Sequence, residues 1–414
     1  MIIKELLFKN FKSFSNESKK QNFDKLDILS LIYGENNSGK SNVLKFINLL
    51  FKRKLDLQDT LLVSGQALSL PANSSPFWSG RISNDAHIFH KNNRTEDIEF
   101  EVLLAFNVSE ISSLSNSKVI LKDLGVVGKV YDLEIKGNIR SLVNAYDSEI
   151  ILNSVFLNEK EIYSFKAGMP RYFQGTPAKS VLRTDSTSFE NLMGLLNDCV
   201  LLLDYNRFLN QEDENSSATK LTPSSFKNWL HNLTLDPLKY SRYDEFLKFV
   251  KANSISGNCG KVLHEFDPRY GRKDKEIDVF LKTNSERLPI NSFGTGIIQV
   301  LLLLSMIFET NSKIILIEEL ELNLSPKTQQ EVLNILGNLI RNKVIDQVIF
   351  TSHSDMLCNT TGLSVYEVQL SSSGVSQVTF KKSPSVDFFK RDAEIDKQTA
   401  SVVRDCGVAG PEWD

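Results

Sequence analysis

Residues 28–51, ILSLIYGENNSGKSNVLKFINLLF, decide the fold of this chain. They contain an apolar strand, Ile28–Tyr33, a polar loop, and an amphipathic helix, Val43–Phe51. The loop fills the pattern G-x-x-x-x-G-K-[ST], with its fixed positions at Gly34, Gly39, Lys40 and Ser41. A strand before such a loop and a helix after it favour a phosphate-binding loop (P-loop) over a chance match in a turn.

Each residue type in this loop suits the phosphates of a nucleotide. Glycines let backbone N–H groups converge on phosphate oxygens, and the following helix presents its positive N terminus. In this pattern Lys40 reaches the β- and γ-phosphates, and the Ser41 hydroxyl ligates Mg2+. We therefore predict that the chain binds ATP and Mg2+, with further loop contacts from Asn37, Ser38 and Asn42.

A second acidic motif follows the apolar strand Lys313–Ile317. A site for ATP hydrolysis needs a carboxylate for Mg2+ and a general base for the attacking water. Glu318 and Glu319 come directly after this strand. We assign Glu318 to Mg2+, directly or through water, and Glu319 to the attacking water. The alternative is a solvated acidic helix start, since Glu321 follows.

Two further segments contain residues suited to a phosphate. His353 follows the strand Val348–Thr351 and can donate to the γ-phosphate, although a structural histidine is the alternative. Ser292, Gly294 and Gly296 open an apolar helix, and a serine with glycines at a helix N terminus is an anion site. Because one triphosphate does not need two such sites in one chain, we interpret this segment as closing on ATP held by another copy. A simple helix cap is its alternative.

The order of these motifs resembles that of ABC-type ATPases of the SMC and RecF branch. More narrowly, it is similar to the ATPase half of OLD-family (overcoming lysogenization defect) proteins and to related ATPases of bacterial anti-phage systems. The resemblance covers about residues 1–60 and 277–360. The stretches that carry it are NFKSF (10–14), GENNSGKSN (34–42), LPINSFGTGIIQ (288–299), IILIEELELNLSP (314–326) and TSHS (351–354).

The resemblance implies a two-lobed head that pairs with another copy, with ATP between them. By motif match it makes Lys40 and Ser41 the phosphate and Mg2+ residues. It also makes Glu319 the catalytic carboxylate, His353 the switch histidine, and Ser292 with Gly294 the signature that acts in trans. Gln66 and Gln174 are candidates for the glutamine of the family's Q-loop, which stays unassigned.

Three positions depart from the family pattern. Glu318 stands where an aspartate is usual, Leu320 where a proline is expected, and Asn323 where a histidine is often found. The longer carboxylate of Glu318 can still reach Mg2+ through water. We therefore expect slower turnover rather than none.

Composition and charge are those of a soluble globular protein. The 48 Lys and Arg residues nearly balance 51 Asp and Glu, so no global field attracts nucleic acid, although a local basic groove for DNA stays open. Four cysteines without a CxxC pair argue against a disulfide framework and a zinc ribbon. No secretion signal and no apolar run of ~20 residues is visible, so we expect a cytoplasmic protein with no membrane partner.

We predict an α/β fold, a two-lobed ABC/SMC-like P-loop head with a mixed sheet around the P-loop helix, an antiparallel β subdomain and a helical insertion. The head spans residues 1–381, with core segments of about 1–60, 95–180 and 277–381. The helical insertion is placed at 184–254, and a C-terminal helical tail at 382–414. Further strands are predicted at 2–8, 97–106, 129–135, 149–156, 199–203 and 277–282, the last of which is expected to continue the main sheet. Helices are predicted at 189–196, 224–233, 242–252 and 327–341, and a hairpin at 364–370 and 375–381.

OLD-family nucleases continue past the ATPase into a TOPRIM domain, for which about sixty residues after His353 are too few. We therefore expect no nuclease in cis. Ordinary surface roles, rather than metal or nuclease sites, are predicted for His87, His90, Glu276, Asp278 and Lys282. Arg207 is interpreted as a surface residue that is a weak candidate for phosphate or a partner.

Our leading hypothesis is an ATPase that forms homodimers or higher oligomers through ATP. In this hypothesis it serves a prokaryotic anti-phage defence system as a sensor or scaffold. It would answer a phage-derived trigger and control a separately encoded effector such as a nuclease. A RecF-like clamp on duplex DNA and a nucleotide-binding regulatory scaffold with negligible turnover are the alternatives.

Overall fold

The computed structural model describes the greater part of the chain. The described residues are 1–15, 21–51, 81–82, 88–107, 109–110, 129–141, 148–166, 169–174, 181–183, 189, 192–193, 196, 199–204, 221, 225–235, 240–253, 266–270, 277–282, 287–310 and 312–382.

Strands and helices of these residues are numbered in chain order. The strands are Ile2–Phe8 (β1), Gln21–Phe23 (β2), Leu29–Tyr33 (β3), Arg81–Ile82 (β4), Ile98–Asn107 (β5), Val130–Ser141 (β6), Ser148–Leu157 (β7), Lys160–Lys166 (β8), Met169–Gln174 (β9), Val181–Arg183 (β10), Val200–Leu203 (β11), Phe266–Tyr270 (β12), Ile277–Lys282 (β13), Arg287–Pro289 (β14), Ile314–Ile317 (β15), Gln347–Ser352 (β16), Ser364–Leu370 (β17) and Ser376–Lys382 (β18). The α-helices are Lys40–Phe51 (α1), Phe226–Leu235 (α2), Tyr240–Ala252 (α3), Thr295–Glu309 (α4), Pro326–Arg341 (α5) and Asp355–Asn359 (α6), with short 3-10 helices at His90–Asn92 and Ile290–Ser292.

A mixed sheet lies at the centre, with strand order β11-β15-β16-β3-β17-β18. Its strands are parallel from β11 to β17, and β18 adds an antiparallel edge. Such strands need apolar side chains on both faces because helices or a second sheet cover both sides. In β3, Leu29 and Leu31 pack in the cluster that contains α4 and α5, whereas Ile32 packs in the cluster that contains α1.

Helix α1 is covered on its other side by an antiparallel sheet of order β10-β9-β8-β7-β6-β5-β1-β2, with β4 beside β7. The centroids of the Phe46 ring of α1 and the Phe8 ring of β1 lie 4.4 Å apart, and Phe46 also meets Phe100 of β5 at 6.3 Å. Phe11 and Phe14, from the motif NFKSF, are buried in the same cluster. This motif therefore attaches the antiparallel sheet to the helix that follows the P-loop.

The predicted α/β class is confirmed, with a mixed sheet around the P-loop helix and an antiparallel sheet beside it. Helix α1 begins at Lys40, earlier than the predicted Val43, because the N-terminal turn of the helix forms part of the loop. The predicted hairpin is present, and its first strand also pairs in parallel with β3. The sequence pattern did not predict this second pairing.

Two assignments to sheets need correction. The strand Ile277–Lys282 was expected to continue the main sheet, but it is β13 of a separate antiparallel sheet, β12-β13-β14. A strand pattern specifies which face is apolar, not which partner it finds.

The stretch 184–254 was described as a helical insertion, yet β11 within it pairs in parallel with β15 of the central sheet. Helices α2 and α3 follow β11 and share an apolar cluster with α4.

Several predictions fall outside the described residues: most of the helix 189–196, nearly all of the tail 382–414, and His87, Arg207, Gln66 and Glu276. The side chains of Asp278, Lys282 and Gln174 belong to this group as well. The division of the chain into domains stays a prediction. No helix in the described part of the chain is both long and apolar enough to span a bilayer.

Candidate functional site

The predicted site residues meet at one edge of the central sheet. Strand β16 lies between β15 and β3, and all of these strands run in parallel, so their carboxyl ends share an edge. Gly34 follows β3, Glu318 and Glu319 follow β15, and His353 follows β16. In open α/β sheets ligands bind outside the carboxyl ends of the strands. The topology therefore brings these motifs together, although they are distant in sequence.

Lys40 lies inside the P-loop rather than in solvent. Its side-chain ammonium donates to the Gly34 carbonyl at 2.7 Å and to the Glu35 carbonyl at 2.6 Å, and the residue is 6% exposed. Burial lowers the pKa of Lys40, while Glu321, Glu319 and Glu35 raise it. A cation held by two carbonyl oxygens can exchange them for phosphate oxygens, which are stronger acceptors because they are charged.

The backbone conformation of the P-loop suits N–H groups that donate to a bound ligand. Gly39 has φ of +104° and Asn37 has φ of +63°, both in the left-handed region. The Ser38 hydroxyl is buried and has no hydrogen-bond partner among the described residues. Ser41 lies in the first turn of α1, where backbone N–H groups are not used within the helix, whereas the Asn42 backbone N–H donates to the Gly39 carbonyl at 3.0 Å. These features fit a nucleotide phosphate, which would accept from the loop and from the helix N terminus.

Two serines outside the predicted site brace this loop. The Ser376 hydroxyl donates to the Ser38 carbonyl at 2.6 Å, and the Ser376 backbone N–H donates to the Ser13 carbonyl at 2.9 Å. The Asn42 side-chain amide donates to the Ser13 hydroxyl at 2.9 Å. Asn42 was predicted as a phosphate contact, but in this structure its amide supports the loop. Ser13 lies in NFKSF, a motif to which the sequence pattern assigned no role.

Replacing Gly39 with alanine is expected to lower the free energy of unfolding by about 2–4 kcal/mol, because it combines left-handed strain with overpacking. A Cβ atom there would lie 2.5 Å from the Ser13 hydroxyl oxygen and 2.5 Å from that of Ser376. Urea unfolding measures the change. Gly374→Ala is the matched control, since Gly374 has φ of +76° and a Cβ atom there would meet nothing within 4 Å. Equal losses in both variants would contradict the tight packing of the loop.

Glu318 fits a role as a Mg2+ ligand. It is 1% exposed, and its Oε1 has no hydrogen-bond partner among the described residues. The Lys45 ammonium lies 3.6 Å from Oε1, a distance that is too long for a hydrogen bond. Burial raises the pKa of Glu318, Lys45 lowers it and Asp204 raises it. A buried carboxylate oxygen without a donor is a suitable ligand for Mg2+, which binds one or two carboxylates together with phosphate oxygens.

Glu319 is held in an uncommon backbone conformation, with φ of +46°. Its backbone N–H donates to the Thr351 hydroxyl at 2.9 Å, and the next N–H, of Leu320, donates to the Thr351 carbonyl at 3.1 Å. Thr351 is fully buried in β16. Strand β16 therefore fixes the turn that carries Glu319. Leu320, which replaces an expected proline, is 2% exposed and packs in the core.

His353 contacts Glu321, which had been considered, from the sequence alone, as part of a solvated acidic helix start. Its backbone N–H donates to Glu321 Oε1 at 2.7 Å, and its Nδ1 lies 2.8 Å from the same oxygen. The side chain of His353 is 50% exposed, whereas that of Glu321 is 7% exposed. Glu321 was cited as a sign of a solvated acidic helix start. Its burial and its bonds to His353 contradict that alternative.

The segment Ser292–Gly296 lies at the surface. Ser292 ends a 3-10 helix and is exposed, and Gly294 is the exposed N-cap of α4, with no side-chain cap. A Cβ atom at Gly296 would lie 3.2 Å from the carbonyl oxygen of Asn323 in the loop after Glu319. The segment therefore begins an uncapped helix next to the acidic motif. Its exposed start is open to a ligand or a partner.

A family comparison identifies this arrangement. The sequence profile of the AAA ATPase domain matches residues 1–358, which contain the P-loop, Glu318, Glu319 and His353. The chain belongs to the AAA ATPase domain family. Membership implies nucleotide binding, and typically Mg2+. No curated protein matches the sequence of this ATPase.

Solved SMC head domains align with most of this ATPase. The SMC head bound to the C-winged helix domain of ScpA is 14% identical, with 92% of this chain and 98% of that chain covered, at a TM-score of 0.48. The SMC head from Thermotoga maritima is 13% identical, with 92% and 100% covered, at 0.41. The SMC head with an extended coiled coil bound to the C-terminal domain of ScpA, derived from Pyrococcus furiosus, is 14% identical, with 96% and 99% covered, at 0.42.

His90 was predicted to be an ordinary surface residue, but the structure of this ATPase buries it. His90 is 7% exposed, and its Nδ1 lies 2.7 Å from the Lys12 carbonyl oxygen. It supports the loop that carries Lys12, whose pKa is lowered by burial and by Lys45 and raised by Glu318. Lys12 therefore interacts electrostatically with both Lys45 and Glu318. No role was assigned to Lys12 from the sequence, and its basic side chain within NFKSF is the signal that could have pointed to it.

Proposed function

We propose that this chain hydrolyses ATP at a composite site formed by two copies. In this proposal the P-loop of one copy binds the triphosphate, and Ser292 and Gly294 of the second copy close over it. The observation that carries the proposal is a difference in exposure. Lys40 and Glu318 are buried at the sheet edge, whereas Ser292 and Gly294 are exposed at an uncapped helix start.

Each residue at the sheet edge has a different role in the proposed reaction. Lys40 neutralises charge on the β- and γ-phosphates, and Ser41 and Glu318 hold Mg2+. Mg2+ would neutralise charge on the phosphate oxygens as they react. Glu319 accepts the proton of the attacking water, and His353 contacts the γ-phosphate. The glutamate at 318 in place of aspartate lengthens the reach of the carboxylate, so we expect slower turnover rather than none.

Ser292→Arg tests the contribution in trans. The larger cationic side chain at an exposed position is expected to leave ATP binding by one copy unchanged and to block closure of the pair. ATP turnover should then fall by about 100-fold, the usual loss when a transition-state donor is removed. Phosphate release and light scattering with ATP measure the two effects.

Ser372→Arg is the control for this experiment, since Ser372 is an exposed serine in the turn between β17 and β18. It should keep the parental turnover and assembly. Parental turnover and assembly in Ser292→Arg would remove the trans contact from the proposal.

We further propose that the ATP-dependent assembly serves a prokaryotic anti-phage defence system in the cytoplasm as a sensor or scaffold for a separately encoded effector, such as a nuclease. Support comes from the resemblance of the motifs to OLD-family ATPases. Co-purification of an effector with the tagged chain, released or retained according to ATP, is the expected result. Failure to recover such a protein from cells that express the neighbouring genes would contradict this role.

The RecF-like clamp is the second candidate because Lys45, whose side chain is 43% exposed and 3.6 Å from Glu318, and Lys12 supply positive charge close to the acidic motif. A clamp would shift duplex DNA in the presence of ATP and lose it steeply with added salt. A DNA shift by the purified chain alone would favour the clamp over the defence role. Neither outcome changes the assignment of the ATP site.

A further inference from the structure

The buried carboxylate of Glu321 has no role in the proposed function, yet it contacts a residue that does. It lies on the loop after β15 and is 8% exposed. A single oxygen, Oε1, receives the His353 backbone N–H at 2.7 Å and lies 2.8 Å from His353 Nδ1. Both contacts come from the loop after β16. Glu321 thus connects the acidic motif to the switch histidine.

The contact at Nδ1 determines which ring nitrogen of His353 carries the proton. An ionised carboxylate only accepts hydrogen bonds, so Nδ1 must be the donor in this pair. The other nitrogen, Nε2, lies on the opposite side of the ring. It donates to a phosphate oxygen only when the ring carries both protons, and the Glu321 carboxylate then supplies the counter-charge. Such partners of a catalytic histidine fix both its tautomer and its orientation.

The negative charge of the Glu321 carboxylate also acts on Lys40 of the P-loop. Oε2 is buried and has no hydrogen-bond partner among the described residues. Leaving such an acceptor unpaired in the interior is unfavourable. Among the charged groups that raise the pKa of Lys40, Glu321 has the largest effect. One carboxylate therefore influences both groups that are assigned to the γ-phosphate.

We propose that Glu321 is a positioning residue: it accepts from the Nδ1–H of His353 and thereby directs Nε2 to the γ-phosphate, to which Nε2 donates once the ring carries both protons. The inference rests on the proposed function for its catalytic consequence, but its structural part does not depend on hydrolysis. A mere anchor for the loop would use the backbone contact alone. The contact to the ring nitrogen is what the positioning role requires.

Nitrogen-15 NMR of histidine-labelled, nucleotide-free protein tests the tautomer directly. The chain has five histidines, and a His353→Gln variant assigns the resonance. At about pH 9, where histidine is neutral, His353 should carry its proton on Nδ1. Glu321→Gln retains an acceptor oxygen and should keep this tautomer. Glu321→Ala should shift it to the Nε2-protonated form that free histidine prefers.

Kinetics supply the second readout. Glu321→Ala is expected to lower kcat by about 10- to 100-fold with little change in KM, as is usual for partners behind a functional histidine. Glu321→Gln should recover part of this loss. Glu309→Gln is the control, since Glu309 pairs with Arg242 at 3.0 Å near the surface. Thermal melting of every variant shows whether it is folded.

The two proposals fail in different ways. An Nε2-protonated His353 in the parental protein, or an unchanged Nδ1-protonated His353 in Glu321→Ala, would overturn the positioning role whatever the turnover. A change in KM without a change in kcat would overturn it as well. Absence of ATP hydrolysis by the parental protein would instead reject the proposed function, and the NMR result would still decide whether Glu321 sets the tautomer.

Discussion

Lys40→Ala is expected to abolish ATP binding, with a loss of affinity of about 100-fold or more. The Lys40 ammonium donates to the carbonyl oxygens of Gly34 and Glu35 at 2.7 and 2.6 Å, so it lies inside the loop that would bind the phosphates. Removing one partner of a buried, charge-assisted pair costs about 2–5 kcal/mol, and each 1.4 kcal/mol is a factor of ten. Titration calorimetry with ATP and Mg2+ measures the loss.

Lys166→Ala is the control for this variant, because Lys166 is exposed at the end of β8 in the antiparallel sheet. It should bind ATP with parental affinity. The melting temperature of Lys40→Ala without nucleotide should match that of the parental protein, which separates lost binding from misfolding. An affinity of Lys40→Ala close to the parental value would show that ATP is bound elsewhere.

Glu319→Gln is expected to retain ATP and to lose hydrolysis. The amide has nearly the shape of the carboxylate, and the backbone bond of residue 319 to Thr351 at 2.9 Å does not depend on the side chain. Without a general base the rate should fall by about 10²- to 10⁴-fold. Because ATP then persists, the ATP-bound assembly should last longer, as measured by size-exclusion chromatography with light scattering.

Glu309→Gln again provides the matched substitution away from the site. It should hydrolyse ATP at the parental rate and show the parental assembly. Parental turnover in Glu319→Gln would assign the general base to another residue. Loss of ATP binding in that variant would place Glu319 among the binding residues instead.

Local patterns allowed much of the fold and of the P-loop to be predicted. The strand, loop and helix around Gly34 and Lys40 are contiguous, so residue spacing alone specifies their geometry. The apolar strands β15 and β16 were recognisable for the same reason. Their shared edge with β3 follows from the parallel pairing, which brings Glu318, Glu319 and His353 to one place.

Contacts between distant segments could not be predicted in this way. Glu321 gives no periodic signal in EELEL, and it is bonded to His353, 32 residues away. Ser376 acts on Ser38 across 338 residues, and no local property of a serine in a hairpin indicates such a bond. Strand β13 was assigned to the wrong sheet because its pattern carries no information on its partner. Pairing is decided by tertiary packing, which the pattern of one segment does not contain.

The Ser292–Gly296 segment is the feature for which sequence and structure contribute different information. The sequence indicated an anion site at a helix start. The structure adds that Ser292 and Gly294 are exposed and that Gly296 lies against Asn323, in the loop that follows the acidic motif. A partner bound at Ser292 would therefore lie close to the loop that follows Glu319.

Mixing two inactive variants tests the composite site most directly. Lys40→Ala lacks the phosphate lysine and Ser292→Arg lacks the closing segment, yet a pair with one copy of each contains one intact site. With two-fold pairing, an equal mixture should recover up to about one quarter of the parental ATP turnover. If light scattering shows that the mixture pairs with ATP but its turnover is no greater than that of the variants alone, the site lies within one copy and the account is contradicted.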